Sequence, residues 1–358
     1  MSGRYRVVDL FAGCGGLSVG FRQSGLFMPV GAVEADAYAA ATYAENFGAD
    51  HITQGDIAAW VDGDLPEADV VVGGPPCQGF SNLGSKREDD DRNHLWEHYV
   101  TALVKIQPKV FLLENVDGFL HSRQFAALQR LVRYGRLRSY KLDFEVVRAT
   151  DFGSAQLRKR AIIIGTHKDI DQIEVPRKRR PAEEWRTLKE ALDGVPTSIP
   201  EDHIDLPERD IVERYGLQMA GPYRSDELHV TRYYSQLSKD RFDEIPYGGS
   251  RMDLPDHLKA PCWRKHTTGS RDVMGRLRWE HPSVTIRCEF YKPEKGRYLH
   301  PDEDRALTPY EAALIQGFPD EFRWWGPKYE IARQIGNAVP VELAEALARR
   351  IGEGLTRS

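Results

Sequence analysis

Short β-branched runs alternate with helix-period patterns through residues 6–165, and no other feature constrains the fold as strongly. Strand candidates lie at 6–11, 28–34, 69–73, 110–114, 144–148 and 161–165, with helical patterns near 16–24, 36–46, 94–106 and 122–134. Strands and helices in this alternation form βαβ units, and such units lay their strands into a mostly parallel, doubly wound sheet. The expected class is therefore α/β. Ligands of such sheets bind outside the carboxyl ends of the strands, and here the early strands end in Gly, Pro, Cys or acidic residues.

The rhythm is lost between about 170 and 300, where Pro, Gly, Tyr, Arg and Asp are scattered without a period; a second, smaller irregular domain or long insertion is expected there. Helical patterns return at 308–316 and after Pro340, where Leu343, Leu347 and Ile351 share one face. The 358 residues are 41% apolar and 29% charged, a globular composition. No apolar run approaches the roughly 18 residues of a membrane helix. Met1 is followed almost at once by the first strand, so no signal peptide is expected. Cys14, Cys77, Cys262 and Cys288 are too widely spaced for a disulfide framework and point to a reducing, cytoplasmic setting. The net charge of −5 is unevenly spread: residues 34–69 hold nine Asp/Glu and no Lys/Arg, whereas 259–297 hold ten Lys/Arg against four Asp/Glu. Such a basic stretch is compatible with a nucleic-acid partner and equally with a solvated charged face.

Several short segments carry side chains suited to chemistry. Asp9 to Leu17 reads as a strand, a glycine-rich turn and a helix start, where the backbone can approach a ligand and free N–H groups can meet it. Glu34 closes the next strand about 20 residues on, where a carboxylate can accept ribose hydroxyls, and Asp56 follows in Gly55-Asp56-Ile57. The dinucleotide fingerprint G-x-G-x-x-G is not met, and a tight turn without ligand stays open. Gly73-Gly74-Pro75-Pro76-Cys77-Gln78 forms a stiff loop presenting one Cys, either a nucleophile or an inert buried thiol. Glu114, behind the apolar run 110–113, could donate a proton or hydrogen bond, or merely cap a turn. Arg158 and Arg160 share one face if a strand begins there, although solvated charges are the ordinary reading. Tyr223, Tyr233, Tyr234, Trp263 and Trp279 stand among basic residues and either meet nucleic acid or pack a small core. Cys262-x-x-x-His266 lacks the further ligands of a zinc site, and no metal is expected.

Taken in order, Phe11-x-Gly13-x-Gly15-Gly16, Pro76-Cys77-Gln78, Glu114-Asn115-Val116, Gln156-x-Arg158-x-Arg160 and Gln334-Ile335-Gly336-Asn337-Ala338-Val339-Pro340 resemble the DNA cytosine-5 methyltransferase family. The resemblance covers about residues 5–166 and 281–352, and is closest to the compact prokaryotic members. It implies a Rossmann-like methyltransferase sheet with S-adenosylmethionine as cofactor and double-stranded DNA as partner. It also implies Cys77 as nucleophile, Glu114 at N3 and the amino group of the target cytosine, and Arg160 at its O2 side with Arg158 in support. Phe11, Gly13, Gly15, Leu17, Glu34, Asp56, Ile57, Pro76 and Leu95 match cofactor positions, closed by Asn337 and Val339; Ala35 stands where many members carry a larger residue that packs on the adenine. The domains implied are 1–166 for catalysis and cofactor, 167–290 for target recognition and 291–358 for the return to the catalytic domain. A monomer on DNA is implied, with a cognate restriction endonuclease acting separately.

The residues suit that chemistry on their own account. C5 of cytosine is a poor nucleophile; thiolate attack at C6 makes it enamine-like, and a proton or hydrogen bond at N3 stabilises the adduct. The rivals are RNA (tRNA) cytosine methylation, a nicotinamide oxidoreductase on a Rossmann sheet, and a non-catalytic DNA-binding relative. The broken glycine fingerprint and the Pro-Pro-Cys-Gln loop oppose the oxidoreductase, the long middle region favours DNA over RNA, and the presence of Cys77, Glu114 and Arg160 opposes the last.

Overall fold

The computed structural model describes residues 3–76, 95–265 and 271–357; Cys77 and His266 lie outside them. Strands β1 (Tyr5–Leu10), β2 (Phe27–Glu34), β3 (Ile52–Gln54), β4 (Val70–Gly73), β5 (Val110–Asn115), β6 (Tyr140–Arg148) and β7 (Lys159–His167) form one sheet in the order β3-β2-β1-β4-β5-β7-β6. The first five pair in parallel, and β7 runs antiparallel to both β5 and β6. The expected mostly parallel sheet is present, with one strand reversed.

Helices α1 (Gly16–Gln23), α2 (Ala37–Phe47), α3 (Ile57–Asp62), α4 (Leu95–Ile106) and α5 (Arg123–Tyr134) connect these strands. Both faces of the sheet are covered, which is why β1, β4 and β5 read as near-continuous apolar runs. Val7, Val70, Val72, Val110 and Leu112 pack on one side with Leu17 and Phe21 of α1; Val8, Leu10, Val71, Phe111 and Leu113 pack on the other with Tyr99 and Leu103 of α4. Helix starts follow their caps: Asp36 accepts from Ala39 N at 2.9 Å and Ser122 from Phe125 N at 3.0 Å. α1 differs, because its N-cap is Gly15 at φ 97° and no side chain caps it.

Beyond the sheet come β8 (Ile211–Arg214) and β9 (Leu217–Ala220), which form an antiparallel hairpin, and β10 (Tyr223–Arg224), which pairs with β11 (Arg323–Trp324). The later helices are α6 (Leu188–Ala191), α7 (Gln236–Asp243), α8 (Pro261–Lys265), α9 (Pro309–Ile315), α10 (Lys328–Asn337) and α11 (Val341–Arg357). Leu343, Leu347 and Ile351 of α11 are buried against the sheet and α1, as their shared face predicts. The two helices meet at Gly20, where a Cβ would stand 2.5 Å from Ala344 Cβ.

The buried apolar residues of 167–290 are shared among several hydrophobic clusters. Ile173 and Val175 join the sheet's own cluster, while Leu188, Tyr223 and Leu228 join a second core around Phe318, Phe322 and Trp324. A third cluster gathers Phe242, Ile245, Leu254, Met274 and Leu299, with Tyr234 and Trp263 against it. Many of the aromatics in this region therefore serve as core; Tyr233, at 77% exposed, Tyr247 and Tyr215 do not. Much of the basic charge is internally neutralised, through Arg276–Asp304 at 2.6 Å, Lys259–Asp256 at 2.9 Å and Arg297–Asp272 at 3.0 Å. The basic run at 177–180 lies partly along β6, with Arg177 on Asp143 at 2.7 Å and Arg179 on Glu145 at 3.3 Å. Among the described residues, no helix is long and apolar enough to cross a membrane.

Candidate active site

Strand order reverses between β1 and β4, and at such a reversal the loops leaving the strands part and open a crevice. A cavity of about 500 Å³ occupies that position. Phe11, Gly13, Leu17, Glu34, Asp56, Ile57, Pro76, Leu95, Glu114, Arg158, Arg160, Asn337 and Val339 all line it, so residues scattered over most of the chain converge on one site. Gly15 is not on the wall. Its φ of 97° shapes the turn, and a Cβ there would stand 3.1 Å from Tyr43 and run into the Phe47 ring, so this glycine is required by packing beneath the loop. Cys77 lies outside the described residues, one position beyond Pro76.

The first wall is the turn after β1. Phe11 has φ 59° and Gly13 φ 56°, a left-handed conformation that is costly for a phenylalanine and that the surrounding structure must hold in place. Glu34 supplies part of that hold: Oε2 accepts from Gly13 N and Oε1 from Asp36 N, each at 2.8 Å, so one carboxylate ties together the loops after β1 and β2. Burial raises its pKa above the ordinary carboxylate range. Asp56 caps α3 by accepting from Ala58 N at 2.9 Å.

Behind this wall, Asp9 is fully enclosed and accepts from Ser18 Oγ at 2.7 Å; Tyr43 OH lies 3.1 Å from the same hydroxyl. Burial raises the Asp9 pKa to about 7, opposed by the Ser18 bond and aided by the nearby Glu34. Folded protein therefore holds a proton here that the unfolded chain has lost, and stability falls as pH rises from about 4 to about 7. Asp9→Asn keeps the shape and removes the titration. Urea denaturation at pH 5 and pH 8 should show a smaller loss of stability across that interval in the variant than in the wild type; an equal loss would remove Asp9 as the cause.

The floor is built on β5 and β7. Glu114 Oε1 lies 2.6 Å from Arg160 Nε, with side chains only 11% and 14% exposed. The antiparallel register, with Asn115 opposite Ala161, brings the two strand ends together. A Cβ at Gly74 would stand 3.0 Å from Glu114 Oε2, so the loop after β4 lies directly on this carboxylate. Asn115 Nδ2 donates to Pro75 O at 2.9 Å and pins the stiff loop that leads to Cys77.

Arg158 occupies a different environment from Arg160 and is no surface charge. It is buried, with Nη1 donating to Ile286 O at 2.9 Å and to Gly336 O at 3.2 Å. Burial first, and then the neighbouring Arg160 charge, lower its pKa to about 9. It clamps two distant segments onto β7. Gln156 does likewise, donating to Gln316 Oε1 at 2.7 Å and accepting from Ile286 N at 3.3 Å.

Sequence reasoning left out two contributors to the site. Arg333 of α10 pairs with both Asp36 and Glu330 beside the cavity, and Cys288 reaches Asn337. Asn115 was legible as the middle of Glu-Asn-Val, whereas nothing local marks Arg333. Among the described residues, no group of three or more His, Cys, Asp or Glu side chains gathers as a metal site. Cys262 is exposed.

The sequence model of the family described as C-5 cytosine-specific DNA methylase matches residues 5–353. The Type II methyltransferase M1.HphI of Haemophilus parahaemolyticus is 32% identical over 356 residues, covering 96% of this chain and 86% of that protein. The Type II methyltransferase M.NgoPII of Neisseria gonorrhoeae is 32% identical over 358 residues, covering 98% and 96%. A prophage-encoded E. coli protein, solved as a DNA modification methyltransferase, superposes with a TM-score of 0.70 at 27% identity, covering 98% of this chain and 99% of that one. The chain belongs to the C-5 cytosine-specific DNA methylase family and is a DNA cytosine-5 methyltransferase whose methyl donor is S-adenosylmethionine.

Proposed function

We propose that this enzyme methylates cytosine within a specific sequence of duplex DNA, with Cys77 as nucleophile and Glu114 and Arg160 holding the base. The observation that carries this reading is the Glu114–Arg160 pair at 2.6 Å, on the floor of a cavity walled by the glycine-rich turn and bordered by the loop that leads to Cys77. The cavity suits S-adenosylmethionine. Its volume falls in the range of about 300–1,000 Å³ typical of small-molecule sites, the uncapped start of α1 offers N–H groups to a carboxylate, and Glu34 and Asp56 retain lone pairs for hydroxyls. Phe11, Gly13, Leu17, Ile57, Pro76, Leu95, Asn337 and Val339 complete the wall. When bound, the cofactor supplies a methyl group on a positively charged sulfur.

A base stacked in the helix cannot be attacked from its face, so the cytosine must leave the duplex first. The Cys77 thiolate then adds to C6, a proton shared between Glu114 and N3 offsets the charge that develops, and Arg160 holds the O2 edge. After C5 is methylated, its proton leaves to a base and the Cys77–C6 bond breaks, which restores the thiolate. Arg158 supports these residues from behind by holding 286 and 336 in place.

Sequence specificity belongs to 167–290, above all to the part gathered around Phe242, Ile245 and Met274. Grafting 167–290 onto a related methyltransferase should carry the methylation site with it; an active hybrid that keeps its parent's site would falsify the assignment. The Type II relatives support a role as the modification enzyme of a bacterial restriction system; on that reading the enzyme is cytoplasmic, acts as a monomer on DNA and is separate from its endonuclease. Purified protein should transfer labelled methyl groups to duplex DNA and not to tRNA, and bisulfite sequencing of an expressing host should show one recurrent sequence context. Labelling of tRNA alone, or no protected cytosine, overturns the reading.

A further inference from the structure

The mechanism leaves Cys288 unused, yet its surroundings are tightly built. The chain at 283–288 runs beside the Gln156 segment, with Ser283 N donating to Ala155 O at 2.7 Å and Leu157 N to Ser283 O at 2.8 Å. Arg158 bridges Ile286 O and Gly336 O, which fixes the separation between this stretch and the end of α10. No side chain fits between them: a Cβ on Gly336 would stand 2.6 Å from Cys288 Cα. Against that clamp, Cys288 Sγ donates to Asn337 Oδ1 at 3.0 Å. A thiol carries one hydrogen and is a weak acceptor, so the contact selects the oxygen of the amide and turns its nitrogen away. Asn337 is itself exposed to the cavity. The neighbouring backbone meets the start of α1, since a Cβ on Gly16 would stand 2.9 Å from Val339 O. That helix start is uncapped and favours an anion.

The geometry points to Cys288 as a positioning residue, whose thiol orients the Asn337 amide so that its NH₂ faces the amino-acid carboxylate of bound S-adenosylmethionine. The inference rests on Asn337 forming part of the cofactor wall. Without the thiol, the amide is free to present its oxygen to that carboxylate, and the correctly turned fraction falls. With two orientations of comparable energy about half the protein is correctly turned, which corresponds to a roughly twofold weaker affinity.

Equilibrium titration, with no DNA present, tests it. Cys288→Ala should raise the Kd of S-adenosylmethionine about twofold. 5′-Methylthioadenosine, which lacks the amino-acid portion, should bind the alanine variant as it binds the wild type. An unchanged Kd in Cys288→Ala, or equal weakening toward methylthioadenosine, overturns the inference. Cys288→Val fills the space without a donor and answers the same question if the alanine variant does not fold. Asn337→Ala separates the two layers. If it leaves the S-adenosylmethionine Kd unchanged, the place of Asn337 in the wall is wrong; if it weakens binding while Cys288→Ala does not, only the role of Cys288 falls.

Discussion

Duplex DNA carrying 5-fluorocytosine at the target position is expected to stay attached to this enzyme through denaturing electrophoresis when S-adenosylmethionine is present. Release requires the substituent at C5 to depart as a cation after methylation; a proton can, a fluorine cannot, and elimination stops with the thiolate still bonded to C6. Cys77→Ala should give no adduct and no methyl transfer above background, although it can still bind DNA. Two of the remaining thiols are poor competitors. Cys14 is buried and hydrogen-bonded to Gln334 O, and burial raises its pKa above the thiol's ordinary value. Cys288 is raised in the same direction by the same cause, and a thiol held neutral is a weak nucleophile. Replacing Cys14, Cys262 or Cys288 should therefore leave the adduct intact. Peptide mapping that places the crosslink on one of these three would overturn the mechanism.

Glu114→Gln should lower methyl transfer by roughly 10²–10⁴-fold, the usual scale for loss of a general acid. The amide can still accept from Arg160, so the fold of the floor survives; what disappears is a proton that can move to N3. The cofactor is held by other residues, so its Kd should change little, and the loss should appear in kcat. Turnover at the wild-type rate would remove Glu114 from the chemistry. A large rise in cofactor Kd with normal kcat would instead make it a wall residue.

The sheet was legible because its central strands are buried on both faces, and their apolar runs survive in a single sequence as uninterrupted Val, Ile, Leu and Phe. The shared face of Leu343, Leu347 and Ile351 was legible for a similarly local reason. β3 escaped notice because Ile52–Gln54 is too short to show a period. α10 lies between the helical patterns read at 308–316 and after Pro340, although Ile331, Ala332 and Ile335 give it a buried face. The site shows the same division. Glu34 and Glu114 declare themselves at strand ends. The role of Arg158 does not, because its acceptors are backbone carbonyls 128 and 178 residues away, and any residue type supplies a carbonyl. The pairing of Arg333 with Asp36 spans 297 residues and is equally silent.

That the two ends of the chain share one cavity has a consequence for the order of synthesis. The turn at Gly13 and the acid at Glu34 leave the ribosome early, but their opposite wall, Asn337 to Val339, is made roughly three hundred residues later. α11 must then settle against α1 through the contact at Gly20. A nascent chain thus carries half a binding site and cannot take up methyl donor at its final affinity. A product stopped before residue 337 should be inert even with Cys77, Glu114 and Arg160 all present, and competence for methylation should arrive in one late step, once α11 has been made.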